Sequence, residues 1–95
     1  MILEHNYRCR FGEIDLIAKD GQYLVFIEVK YRKDGLSGRS LEAVTPAKQR
    51  VIGRVAQLYL TVQYRNENVP CRFDVIGIDG DRLYWEKNAF EYHAG

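Results

Sequence analysis

The stretch Tyr23 to Arg32, Tyr-Leu-Val-Phe-Ile-Glu-Val-Lys-Tyr-Arg, constrains this chain more than any other. Val, Ile, Phe and Tyr suit a pleated, buried surface. Side chains on a strand alternate between faces, so Leu24, Phe26, Glu28, Lys30 and Arg32 share one side. Tyr23, Val25, Ile27, Val29 and Tyr31 share the other. One face is apolar throughout, while the second turns from apolar to charged, which describes a central strand whose far end opens onto a site. Burying an unpaired carboxylate or ammonium is costly, so Glu28 and Lys30 need partners, solvent or a metal.

A candidate partner lies upstream. Gly12-Glu13-Ile14-Asp15-Leu16-Ile17-Ala18 predicts a second short strand, and Asp20-Gly21 predicts a hairpin turn between the two. A two-residue turn there, or a four-residue one in the same register, sets Lys19 opposite Gln22, Asp15 opposite Phe26 and Glu13 opposite Glu28. Asp15 then shares a face with Glu28 and Lys30, within the roughly 7–8 Å reach of diagonal neighbours. A slip of one residue would move it to the other face. In this register Glu13, Asp15, Glu28 and Lys30 gather at one place.

Carboxylate oxygens are the hard ligands Mg²⁺ takes, with waters completing its shell. Such an ion, or Mn²⁺ in its place, polarises a phosphoryl oxygen and acidifies a bound water. A lysine beside it can orient that water or offset charge growing on phosphorus. The plainer account is that Glu-x-Lys on a strand is a surface ion pair, worth under about 1 kcal/mol. Asp15, twelve intervening residues and Glu28-Val29-Lys30 across a hairpin resemble the motif of the PD-(D/E)XK, restriction-endonuclease-like nucleases. That spacing alone is common by chance. The longer blocks are more specific: Gly-Glu-Ile-Asp-Leu-Ile-Ala, Phe-Ile-Glu-Val-Lys-Tyr-Arg, Ala-Val-Thr-Pro-Ala-Lys-Gln-Arg, Arg-Phe-Asp-Val-Ile and Asn-Ala-Phe. Together, over nearly the whole chain, they resemble the YraN-like family of bacterial proteins. The resemblance implies a helix before the first strand, which in similar resolvase-like nucleases offers a glutamate toward the site. This sequence begins where that helix should end, so a short or truncated member, exposed apolar sheet surface and a homodimer are the expectations.

Ninety-five residues make one domain, 1–95. An apolar share of 46% supports a modest core. No run approaches the roughly 18 apolar residues of a membrane span, and the amino terminus lacks a basic-then-apolar export pattern. Cys9 and Cys71 therefore read as free thiols of a cytoplasmic protein. His5 and His93 are isolated, and no Cys/His cluster has zinc spacing. The net charge of +1 says little about partners, but its distribution says more. Lys30 to Arg54 holds seven basic and two acidic residues, whereas Cys71 to Gly95 holds three basic and five acidic. A basic segment directly after the carboxylates suits a phosphate-backbone substrate, although charge runs are often solvated faces.

Along the chain, Tyr7 to Arg10 predicts an entering strand. Residues 33–42, with Gly35, Ser37, Gly38 and Ser40, predict a polar loop leaving the end of the Glu28 strand. Thr45-Pro46 announces a helix, with Thr45 as its cap. Val44, Ala47, Val51, Val55, Leu58, Tyr59 and Val62 form its expected apolar face. If the helix start faces the hairpin, Lys48 and Gln49 point toward the site, where the helix amino terminus favours phosphate. Cys71 to Ile78 and Arg82 to Glu86 predict two more strands, with Asp74 as a polar pairing group in preference to a metal ligand, and Phe90 packing the tail. The expected fold is α/β, a restriction-endonuclease-like mixed sheet with a flanking helix.

The expected function is a Mg²⁺- or Mn²⁺-dependent endonuclease on DNA, with branched or structured DNA implied by the resolvase-like relatives and RNA as a second possible substrate. Asp15, Glu28 and Lys30 are the catalytic candidates; Asp15, Glu28 and Glu13 are the metal candidates, helped by the Val29 carbonyl. Arg32, Lys48 and Gln49 are the candidates for phosphate contact. The alternative is a non-catalytic nucleic-acid-binding or adaptor domain that keeps the nuclease fold.

Overall fold

A computed structural model describes residues 1–32 and 44–91, with the side chain of Arg32 left aside. The predicted loop over 33–42 lies outside them. Five strands, β1 (Ile2–Cys9), β2 (Gly12–Asp20), β3 (Tyr23–Arg32), β4 (Cys71–Asp79) and β5 (Arg82–Phe90), form one sheet in sequence order. β3 and β4 are parallel and the other pairs antiparallel. The crossover between β3 and β4 carries the helix α1 (Pro46–Leu58), continued by a π-helical turn (Tyr59–Tyr64). This is a mixed α/β fold compatible with the restriction-endonuclease-like architecture expected from the sequence. Its strands outrun the predictions: β1 starts near the first residue and β5 reaches Phe90.

α1 begins as its sequence demands. Thr45 is extended and accepts a hydrogen bond from the Lys48 amide at 3.1 Å, and Pro46 occupies the first turn. The buried face is turned relative to the expectation. Ile52, Val55, Ala56, Tyr59 and Leu60 are buried, while Ala47 and Val62 are exposed. The apolar residues of this helix fit two overlapping stripes, and the one with Ile52, Ala56 and Leu60 at four-residue spacing faces the sheet. Phe26 and Phe73 stack at 5.4 Å, Phe73 and Phe90 at 5.2 Å, and Tyr59 meets Tyr7 edge-on at 5.0 Å. These rings tie the helix to four strands through one core. The helix also crosses Gly12 closely. A Cβ there would lie 2.7 Å from Val51 Cγ1, and the φ of +150° is itself unfavourable for a side chain.

The β2–β3 turn corrects the predicted register. Asp20 pairs with Tyr23, Lys19 with Leu24 and Ile17 with Phe26, so the turn is Gly21-Gln22 and not Asp20-Gly21. Gly21 takes the positive φ of +61° at the first turn position, which glycine alone adopts freely. Moving the turn by one residue shifts each pairing by two, so the face parity of Asp15 and Glu28 survives. The opposite face of the sheet carries Val29, Ile76 and Trp85 in one row and Tyr31, Ile78 and Leu83 in the next. Tyr31, Leu83 and Trp85 are exposed there. Cys9 and Cys71 are free and half-buried, and burial pushes the Cys71 thiol up.

Candidate metal and phosphate site

The ladder between β2 and β3 stops at Leu16 opposite Ile27. Beyond it the next residues of the two strands are Asp15 and Glu28. The β1–β2 ladder likewise skips the position of Asn6 and Asp15, and Asn6 has a φ of +50°. Asp15 therefore sits where both ladders of β2 are interrupted. Its Oδ2 accepts the Val29 amide at 2.7 Å, so a side chain satisfies a donor of the parting strand.

Glu28 stands beside it, buried, on the face that α1 covers. Lys30 Nζ lies 3.5 Å and Lys48 Nζ 3.7 Å from Glu28 Oε2. Lys30 arrives from two residues along β3 and Lys48 from the first turn of α1. Burial raises the Glu28 pKa above its ordinary value, and the hydrogen bond and charge of the Asp15 carboxyl raise it further. Lys48 and Lys30 pull it back only in part. Two carboxyl groups in contact, short of compensating charge and flanked by two ammonium groups, form a place for a cation and an anion together.

Not every predicted residue joins it. Glu13 Oε2 pairs with Arg8 Nε at 2.7 Å, its partner across the β1–β2 ladder. Among the described residues no group of three or more His, Cys, Asp or Glu side chains comes together to hold a metal. The carboxylates that do come together are Asp15 and Glu28, hard oxygen groups of the kind Mg²⁺ takes, one or two at a time, with waters. Gln49 stands in the first turn of α1, but its amide nitrogen donates to the Val44 carbonyl at 3.1 Å, bracing the helix start. Arg32 ends β3 opposite Asp79 of β4. Sequence reasoning missed Asn6 and Arg8. A non-glycine residue at positive φ and an exposed arginine leave no periodic mark in a sequence.

Asp74 is the other buried carboxylate whose geometry stands out. It accepts from Arg72 Nε and Nη2 at 2.9 and 3.0 Å, Trp85 Nε1 at 2.9 Å and the Asn88 amide at 2.9 Å. Its four bonds make it a structural hub, in line with the pairing role expected of it.

The profile of the Uncharacterised protein family UPF0102 matches residues 1–78. The chain belongs to this family. A UPF0102 protein of Nitrosomonas eutropha is 50% identical over 91 residues, covering 95% of this chain and 77% of that relative. One from Nitrosococcus oceani is 46% identical over 97 residues, covering 98% and 78%. One from Lachnoclostridium phytofermentans is 49% identical over 93 residues, covering 98% and 79%. The family resemblance read from the sequence blocks is thereby borne out, while these relatives' names carry no activity. Among the described residues, no helix is long and apolar enough to cross a membrane.

Proposed function

We propose that this chain is a Mg²⁺- or Mn²⁺-dependent nuclease that hydrolyses phosphodiester bonds in DNA, acting in the cytoplasm. The contact between the Asp15 and Glu28 carboxyl groups, with Lys30 and Lys48 within 4 Å of Glu28, carries the reading. A surface ion pair would be exposed and compensated, whereas Glu28 is buried and pushed toward protonation. Asp15, Glu28 and the Val29 carbonyl would hold the ion, which supplies Lewis-acid polarisation of a phosphoryl oxygen and an acidified water. Lys30 orients the attacking water and offsets charge growing on the phosphate. Lys48, at the amino end of α1, binds the neighbouring phosphate, where the helix dipole also favours an anion. Arg32, two residues past Lys30 at the end of β3, is a further candidate for phosphate contact. Gln49 joins only if it releases Val44. The homodimer expected from the sequence would use Leu83 and Trp85, the apolar groups exposed on the edge strand β5.

The experiment is a cleavage assay on linear, nicked and four-way DNA, with an RNA arm, in Mg²⁺ and Mn²⁺. Cleavage should fall by about 10²–10³ in Glu28→Gln and comparably in Lys30→Ala. Activity undiminished by both substitutions sinks the assignment. Salt-sensitive binding that needs Lys48 but not the carboxylates, with no cleavage of any substrate, would instead establish the non-catalytic domain.

A further inference from the structure

An open depression of about 330 Å³ lies on the sheet face opposite α1, lined by His5, Asn6, Asp15, Leu16, Val29 and Tyr31. Its volume falls within the roughly 300–1,000 Å³ of ligand clefts. Asp15 belongs to this lining and its carboxyl group also meets Glu28, so the depression adjoins the Glu28 site. The lining has a chemistry different from the phosphate site. Among the described residues its lining has no lysine or arginine, and Asp15 is the one charged group there. An anion would be repelled here. What it offers is an imidazole, an amide and a phenol ring, all three able both to donate and to accept hydrogen bonds. Tyr31 is 74% exposed, an unusual state for an aromatic ring on a central strand, and it directly follows Lys30 in β3. The alternation of the strand puts Lys30 on the phosphate side and Tyr31 on the depression side.

We infer that this depression is a nucleobase subsite, in which Tyr31 stacks on an unpaired base beside the phosphate held at Asp15 and Glu28, while His5 and Asn6 meet the base edge. The inference rests on the nuclease reading and adds to it a substrate class: nucleic acid with an unstacked base next to the scissile bond, such as a junction, flap or single-stranded overhang. A base flips or splays into such a site most readily where it is already unpaired. Blunt duplex lacks that base and would occupy only the phosphate side.

Fluorescence anisotropy tests this with Ca²⁺ in place of Mg²⁺ and with the DNA checked for integrity. The probes are a duplex carrying a short single-stranded overhang and the same duplex with blunt ends. Tyr31→Ala should weaken overhang binding about tenfold, the scale of one lost stacking contact, and leave blunt binding nearly unchanged. Tyr31→Phe should bind as the unaltered chain does, and 2-aminopurine placed in the overhang should change fluorescence only with a ring at position 31. His5→Ala should give a smaller loss on the overhang alone. Equal binding of the overhang by Tyr31→Ala and the unaltered chain overturns the subsite. So does an equal loss on both DNAs, or no binding of either. Ring-dependent overhang binding without any cleavage in Mg²⁺ would leave the subsite standing and remove only the nuclease reading.

Discussion

Asp74 and Glu28 stand one rung apart in the parallel β3–β4 ladder, Asp74 level with Ile27 and Glu28 level with Val75. They point to opposite faces of the sheet, and both are buried. Around Asp74, two guanidinium contacts, an indole and a backbone amide outweigh the cost of burial and hold its pKa below the ordinary value. Around Glu28, burial combines with a second carboxyl group, and two ammonium groups at 3.5 and 3.7 Å do not restore the balance. Depth therefore does not decide whether a buried carboxylate is satisfied within the fold. What distinguishes the two is whether the fold supplies enough donors to satisfy the charge or leaves that task to a ligand.

The comparison breaks most visibly by removing each carboxylate. Asp74→Ala leaves the nearly buried Arg72 without its main partner and frees the Trp85 and Asn88 donors. A loss of about 3–5 kcal/mol is expected, as for a broken buried ion pair, readable as a lower urea midpoint at unchanged slope. Glu28→Gln should do the reverse. It removes a charge the fold does not fully compensate, so stability at neutral pH should hold or rise. Cleavage should nevertheless fall by about 10²–10³, the scale of a lost electrostatic contact to the transition state. A Glu28→Gln chain that unfolds as Asp74→Ala does would make Glu28 a structural group too.

Acid titration sharpens the same contrast. The folded pKa of Asp74 is depressed, so its contribution to stability is present above the ordinary value of 3.8 and is lost as pH falls through the folded pKa. The folded pKa of Glu28 is raised, so its contribution is present below the ordinary value of 4.5 and is lost as pH rises through the folded pKa. Urea denaturation across pH 4 to 7 should show the penalty of Asp74→Asn at its full size near neutrality. Glu28→Gln should gain on the unaltered chain as pH rises. Parallel profiles for the two variants would contradict the assignment of opposite shifts.

The sequence disclosed this contrast unevenly. The strand carrying Glu28 and Lys30 was legible because alternation decides faces, and a shift of two residues preserves them. That is why Asp15 and Glu28 meet although the turn was placed one residue early. Thr45 and Pro46 marked the helix start through local capping chemistry, and with it the approach of Lys48. Glu13 was expected at the site because the displaced register set it opposite Glu28; Arg8, across the other ladder, takes its carboxylate. The helix face was read half a stripe away because the apolar residues of 44–62 fit two overlapping stripes and the pattern alone does not choose between them. The saturation of Asp74 depends on Asn88 at a φ of +55°, near the register shift of the β4–β5 ladder, and on Trp85 one strand away. Such long-range bonds leave no spacing signal.

The smallest expected effect is the most direct test of what the fold leaves for a ligand. If Asp15 and Glu28 together bind Mg²⁺, the ion stabilises the folded chain by preferential binding. A concentration ten times the dissociation constant gives about 1.4 kcal/mol, a rise of several degrees in Tm for a domain this size. Deprotonation of the carboxyl pair must accompany binding, so addition of Mg²⁺ to a weakly buffered solution should release protons. The thermal shift should also shrink as pH falls through the raised pKa of Glu28, because protons then compete for the same oxygens. Glu13→Gln should keep the full shift, since its carboxylate is engaged by Arg8, while Asp15→Asn should lose most of it. Equal shifts in the unaltered chain and Asp15→Asn would place the ion elsewhere. The raised Glu28 pKa would then reflect burial and the neighbouring Asp15 carboxyl alone, and the nuclease reading would lose its physical support.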